Sequence, residues 1–131
     1  MMATRMRSPL GRALGLGSAK EGVEHWWLQR ITAAALVPLT VWFVIAMIRL
    51  VGADVDAVRE WVASPLPAIL LVLLLIATFW HAALGLQVVI EDYVHPPLTK
   101  LGLLIVLRLG CFAFAVAGVF AVLDMALGMT S

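Results

Sequence analysis

Residues 79–95, FWHAALGLQVVIEDYVH, close a long apolar run in the middle of the chain. This stretch places one histidine, His81, among hydrocarbon side chains and ends in the cluster Glu91-Asp92-Tyr93. A histidine in an apolar environment needs a polar partner, because an unpaired polar group is costly away from water. Two acids at the end of a helix face the negative end of its dipole, so they also require a specific partner or task.

The composition predicts an integral membrane protein. The chain has 131 residues, of which 63% are hydrophobic, and its mean hydropathy is +1.05. A globule of this size exposes a large share of its atoms and cannot hide so much apolar surface from water. No basic patch is interleaved with aromatic residues, which argues against nucleic-acid binding. The single cysteine, Cys111, excludes an internal disulfide and an iron–sulfur cluster held by this chain alone.

Three apolar segments are long enough to cross a bilayer as helices, which requires about 20 residues each. They are residues 31–48, 65–94 and 101–127, and they predict an all-α membrane protein with three transmembrane helices. The residues between the first two segments, 52–64, read as a short loop. Pro96 and Pro97 are expected to end the second helix, because a residue before proline is pushed out of helical geometry.

The distribution of basic residues predicts the orientation in the membrane. Residues 1–20 read as a flexible basic tail, and residues 21–131 as the three-helix membrane domain. The C-terminal end has no basic residue, so the positive-inside rule places the N-terminus and the Asp92-Tyr93 pair on the cytoplasmic side and the C-terminus outside. The basic residues before the first span are Arg5, Arg7, Arg12, Lys20 and Arg30.

His81 is the first candidate functional residue, because it lies near the middle of its apolar run. Ionisable residues at that depth are rare and usually functional, and a neutral imidazole is a common axial ligand of haem iron. Ala77 and Gly85, four residues to either side, leave room for a flat macrocycle or a close helix. The alternative is a histidine that bonds a neighbouring helix. A haem with two histidine ligands would need the second from a partner chain, since no other histidine lies so deep.

The cluster at the end of the second helix is the second candidate site. Eleven residues separate His81 from Asp92, which returns to nearly the same helix face about 16 Å further along. Tyr93 could bind a ligand or serve as an aromatic anchor at the membrane interface, and Glu91 reads as a solvated acid. Arg30 could pair with Asp92, a haem propionate or a lipid phosphate, or extend to the interface. Three further charges read as ordinary helix-end residues: Arg49, Arg108 and Asp124.

These residues form a pattern that resembles a known family. The motif is His-Ala-x-x-Gly-x-x-x-Val-x-x-Asp-Tyr-Val, from His81 to Val94. A second match runs from Gly22-Val23 through Arg30 to Thr32-Ala33. Together they resemble the hydrophobic membrane anchor subunit of bacterial succinate dehydrogenase, respiratory complex II, over about residues 18–128. Where the family often has lysine after Tyr-Val, this chain has His95.

The resemblance implies a complex of four different chains in the bacterial inner membrane. A flavoprotein subunit oxidises succinate, an iron–sulfur subunit relays electrons, and a cytochrome b subunit pairs with this one to hold haem b and help form the ubiquinone site. It implies that His81 is an axial ligand of the haem iron, that Tyr93 and Asp92 belong to the ubiquinone site, and that Arg30 lies near the haem edge as a candidate propionate contact. No catalytic residue is expected here, so the chain is not an enzyme by itself.

Two other functions are compatible with the residues alone. One is a cofactor-free three-helix assembly or structural protein that uses His81 in helix packing. The other is a transporter component in which His81 and Asp92 relay protons.

Overall fold

A computed structural model describes the backbone of residues 18–129 and the side chains of residues 22–129. Most of the expected tail, residues 1–17, lies outside the described part, and the first helix begins within the tail's expected range, at Ser18. The helices, in chain order, are α1 (Ser18–Leu50), α2 (Val55–Ala63), α3 (Pro65–Tyr93) and α4 (Pro97–Leu127). The described residues contain no strand. The prediction of an all-α fold is therefore confirmed.

Three of the helices are long and apolar enough to span a membrane. The spans are Gly22–Leu50, Pro65–Tyr93 and Pro97–Leu127, with 29, 29 and 31 residues. Each exceeds the roughly 20 residues that cross the hydrocarbon core, so the ends of each helix reach the headgroup level. The expected three transmembrane helices are confirmed. Helices α1 and α4 begin earlier than the apolar segments expected from residues 31 and 101, since α1 starts at Ser18 and α4 at Pro97.

The prediction of a loop over residues 52–64 was wrong, because these residues contain the short helix α2. Asp54 caps it by accepting a hydrogen bond from the backbone N–H of Ala57 at 2.8 Å. Its apolar side faces the bundle, with Val58 and Trp61 half-buried and Val62 buried. Such spacing of apolar residues is typical of an amphipathic helix, which the many charges of this segment obscured. The Trp61 ring stacks on the Trp42 ring of α1, with centroids 5.8 Å apart.

Helix α3 packs against both α1 and α4 and so occupies the centre of the bundle. The α3–α4 contact is close at Gly118, where an added Cβ would lie 3.2 Å from both methyl carbons of Leu75. Phe79 and Phe114 stack across the same pair of helices, with ring centroids 6.3 Å apart. A small residue opposite a large one lets two membrane helices approach closely, which favours their packing.

Large apolar side chains cover the outside of the bundle. Among the side chains of residues 22–129, only Ala46 and Val62 are buried hydrophobic residues. Because lipid chains are as apolar as leucine, an outward-facing apolar residue costs nothing in a bilayer. The bundle therefore offers its outer surface to lipid and to other membrane helices.

Candidate functional site

His81 lies near the middle of α3, two residues beyond the helix midpoint at residue 79. Its Nδ1 atom is 3.0 Å from the hydroxyl oxygen of Thr32 on α1. Thr32 is thus the polar partner that the sequence required for a histidine at this depth. The sequence showed Thr32 only as part of a motif, because nothing local predicts which α1 residue faces His81.

The second ring nitrogen of His81, Nε2, makes no hydrogen bond to any residue of the described part of the chain. The imidazole is half-buried, with its Nδ1 edge bonded to α1 and its Nε2 edge bonded to none of the described residues. A histidine that served only to pack α3 against α1 would leave Nε2 without a partner in the membrane, which is costly. Within the described residues, Nε2 is thus open to a partner from outside them.

A row of polar residues on α1 faces α3 beside His81. His25, Gln29 and Thr32 are spaced by four and three residues, which places them on one side of the helix. One turn from His81, a Cβ added to Gly85 would lie 3.8 Å from Nε2 of Gln29. The side chain of Gln29 on α1 therefore reaches the space beside Gly85.

Two side-chain atoms of this row are buried and lack a hydrogen-bond partner among residues 22–129. They are Nε2 of His25 and Oε1 of Gln29. Buried polar atoms are normally satisfied by protein or ordered water. The row from His25 to Thr32 is therefore a polar strip inside an otherwise apolar helix pair.

Asp92 and Tyr93 are the last two residues of α3. Both are exposed, Tyr93 at 79%, and neither side chain bonds to another residue of the described part of the chain. Because α3 is unbroken from His81 to Asp92, the two side chains lie about 16 Å apart along the helix axis. His95 follows in an exposed position after the helix end.

Arg30 is exposed on α1, with its guanidinium carbon 5.1 Å from the centroid of the Trp26 ring. Such a cation–π contact holds the side chain along the helix surface. Within the described residues Arg30 forms no ion pair with Asp92, which was one of the three partners expected for it. Its hydrogen-bond donors remain available to a group outside this chain.

The prediction that Arg108 is a helix-end charge was wrong. It lies four residues before the midpoint of α4, at residue 112. Its Nη2 donates to Oε1 of Gln87 at 3.1 Å, and Nε2 of Gln87 donates to Oε1 of Glu91 at 2.9 Å. The amide thus joins a cation of α4 to an anion of α3. Gln87 and Glu91 are one turn apart on one helix, a spacing that could have marked the pair in the sequence.

Comparison with known proteins shows the family. A family model described as succinate dehydrogenase/fumarate reductase transmembrane subunit matches residues 4–123. A protein of Rickettsia bellii named succinate dehydrogenase hydrophobic membrane anchor subunit is 36% identical over 92% of this chain and 97% of its own length. Proteins of the same name from Paracoccus denitrificans and Rickettsia conorii are 32% and 31% identical over 95% and 92% of this chain, and 95% and 96% of their own lengths.

The resemblance drawn from residues 18–128 is therefore confirmed, since both the family and the subunit type agree with it. The three spanning helices agree with a membrane anchor as well. This chain belongs to the succinate dehydrogenase/fumarate reductase transmembrane subunit family, in which it is a membrane anchor subunit of succinate dehydrogenase.

Proposed function

We propose that this anchor subunit supplies one axial ligand of a haem b and part of a ubiquinone-reduction site. The observation that carries the proposal is the state of His81, which lies near the middle of the spanning helix α3 with Nδ1 bonded to Thr32 and Nε2 without a partner in the described chain. An imidazole nitrogen with a free lone pair is what a haem iron accepts as an axial ligand.

The donor set fits a haem shared with a second membrane subunit. Among the described residues, no group of three His, Cys, Asp or Glu side chains is placed to hold a metal ion. A haem needs only one donor from this chain if the partner supplies the other, and no second histidine of α3 lies near His81. The partner we infer is a cytochrome b subunit, which would pack against the surface that exposes Nε2.

When bound, haem b supplies one-electron redox chemistry. His81 would hold the iron and influence its potential through the axial bond. Arg30 would offer its outward donors to a haem propionate, since Trp26 restrains the guanidinium while leaving its N–H groups free. The cytoplasmic end of α1 would then fix the edge of the macrocycle while α3 fixes its centre.

Tyr93 and Asp92 would act on ubiquinone at the end of α3. Reduction of the quinone to the quinol takes up two electrons and two protons, and the electrons would come from an iron–sulfur subunit. A phenol O–H is a hydrogen-bond donor, so Tyr93 would donate a hydrogen bond to the quinone oxygen as negative charge develops there. Asp92 would orient that phenol or a cation of the partner and assist proton delivery.

The proposed assembly contains a cytochrome b subunit, an iron–sulfur subunit and a flavoprotein subunit in the bacterial inner membrane. The basic residues before α1 support a cytoplasmic N-terminus and an opposite C-terminus. That orientation places Asp92, Tyr93 and His95 on the cytoplasmic side, where the soluble subunits would dock.

The complex purified through a tag on this chain tests the haem assignment. A reduced-minus-oxidised spectrum is expected to show haem b in the wild type and in His95→Ala, which changes the exposed histidine. His81→Ala should lose that signal while the partner subunits still co-purify. A normal bis-histidine spectrum in His81→Ala would refute the ligand role. A wild-type complex that assembles without haem would favour the cofactor-free or proton-relaying alternatives.

A further inference from the structure

We infer that Thr32 is a positioning residue that selects the tautomer of His81 and so keeps Nε2 available to the iron. The inference rests on the proposed haem function, and it concerns a residue of α1 that would touch neither haem nor quinone. It starts from the three contacts of one hydroxyl group.

A threonine hydroxyl has one hydrogen to donate and can accept further hydrogen bonds. The Thr32 oxygen lies 2.7 Å from the carbonyl oxygen of Leu28 and 3.1 Å from that of Gln29. Carbonyl oxygens only accept, so one of them receives the hydroxyl hydrogen. The shorter contact, to Leu28 one turn earlier, is the bond that threonine side chains make inside helices.

The contact between Thr32 and His81 must then take its hydrogen from the imidazole. With the hydroxyl hydrogen used on Leu28, the 3.0 Å contact is a bond donated by Nδ1–H to the threonine oxygen. A neutral imidazole carries one N–H, so Nε2 keeps a lone pair. This is the protonation pattern that an axial ligand bonded through Nε2 requires.

The opposite tautomer of His81, protonated on Nε2, would disrupt both the Leu28–Thr32 contact and the binding of iron by Nε2. Thr32 would have to turn its hydrogen away from the 2.7 Å contact with Leu28, and Nε2 would carry a proton that blocks coordination. A β-branched side chain in a helix has few rotamers, so the Thr32 hydroxyl oxygen is kept within reach of both Leu28 and His81. The carbonyl of Leu28, the hydroxyl of Thr32 and the ring of His81 thus form a relay from α1 to α3.

Partners of this kind orient a metal-binding histidine and raise its basicity, and their loss typically weakens metal affinity about 10–100-fold. Thr32→Val removes the hydroxyl and keeps the branched shape. We expect faster loss of haem from that variant, and a higher midpoint potential, because a less basic ligand stabilises ferric iron less. Thr32→Ser keeps the hydroxyl and should behave like the wild type.

The experiment uses the intact complex extracted from membranes. The readouts are the rate of haem transfer to excess apomyoglobin and the midpoint potential from a redox titration. Thr40→Val, an exposed position two turns along the same helix, is the matched control. A Thr32→Val complex that matches Thr40→Val in both readouts would overturn the inference, as would a Thr32→Ser complex as impaired as Thr32→Val.

If Thr32→Val does not assemble, the same substitution is made in the His81→Ala background. Accumulation equal to His81→Ala alone supports action through His81, and a further loss overturns it by showing a separate folding role. The two proposals fail separately. Retention of haem by His81→Ala refutes the haem ligand, whereas loss in His81→Ala with no effect of Thr32→Val refutes only the tautomer inference.

Discussion

Arg108 of α4 donates a hydrogen bond to Gln87 of α3 at 3.1 Å, eleven residues into α4 and six residues before the end of α3. The same amide donates to Glu91 at 2.9 Å, so it is polarised from both sides. A guanidinium at this depth is costly unless it is paired or reaches the interface. Gln87 therefore gives the Arg108 guanidinium a hydrogen-bond acceptor, and the same bond links α4 to α3.

We expect Gln87→Leu to destabilise the hairpin of α3 and α4 by about 0.6 kcal/mol, the average measured for hydrogen bonds between membrane helices, and by no more than the maximum of about 1.7 kcal/mol. Arg108 would lose its acceptor and Glu91 its donor. The measurement is the thermal unfolding midpoint of the detergent-solubilised complex. Val88→Leu changes the adjacent outward-facing position and serves as the control. Equal midpoints for the two variants would contradict a stabilising role of the amide.

Gly118→Ala is expected to destabilise the same pair of helices relative to Gly110→Ala by about 1 kcal/mol, the lower end of the overpacking range, because Leu75 must shift by a few tenths of an ångström. The new methyl group would lie 3.2 Å from both methyl carbons of Leu75. Gly110→Ala is a matched control on the same helix, since a Cβ there meets nothing within 4 Å. Both variants gain helix propensity, so the difference between them isolates the steric effect.

A second substitution checks the origin of that effect. Leu75→Ala in the Gly118→Ala background removes the side chain that the new methyl group would meet. It should cost less stability than Leu75→Ala does in the wild type, because part of the space is refilled. Strict additivity of the two changes would show that they do not act through a shared contact.

Asp54→Ala should loosen α2 without affecting the spanning helices. The carboxylate accepts the hydrogen bond of the Ala57 N–H at 2.8 Å, and loss of such a cap costs about 0.5–2 kcal/mol. Hydrogen–deuterium exchange is the suitable measurement, with faster exchange expected at the α2 amides and no change in α3. Asp54→Asn keeps an accepting oxygen and should retain protection. Unchanged exchange in Asp54→Ala would mean that packing alone holds α2.

The spanning helices could be predicted because their signal is local. Runs of apolar residues broken by proline set the bounds of α3 and α4 to within a few residues. Helix α2 was not predicted because its charged residues are typical of a solvent-exposed loop. Only its spacing of Val58, Trp61 and Val62 reveals an inward face, and that face becomes visible once a bundle exists to receive it.

The hydrogen bonds of the site join residues of different helices, so the sequence alone could not predict them. The position of His81 within an apolar run predicts that it has a polar partner. That this partner is Thr32 depends on the register of α1 against α3. The prediction for Arg108 was wrong for a related reason. Helix α4 starts at Pro97 and not at residue 101, so Arg108 lies further from the helix end than expected. Residue type predicts that a polar group needs a partner, whereas packing decides which one it receives.

Tyr93→Phe is expected to slow ubiquinone reduction by the assembled complex on the order of 10²-fold, if the phenol donates to the developing charge on the quinone oxygen. The ring itself is retained, so most of the apolar contact of an aromatic anchor would be kept. Succinate oxidation with a soluble dye as acceptor is the internal control, because it bypasses the quinone and should stay at the wild-type rate. Since Tyr93 is 79% exposed and lacks a side-chain bond in the described chain, assembly should not depend on its hydroxyl. If the quinone and dye rates of the variant both equal those of the wild type, Tyr93 acts only as an interfacial anchor. The quinone site would then be formed by the partner subunits.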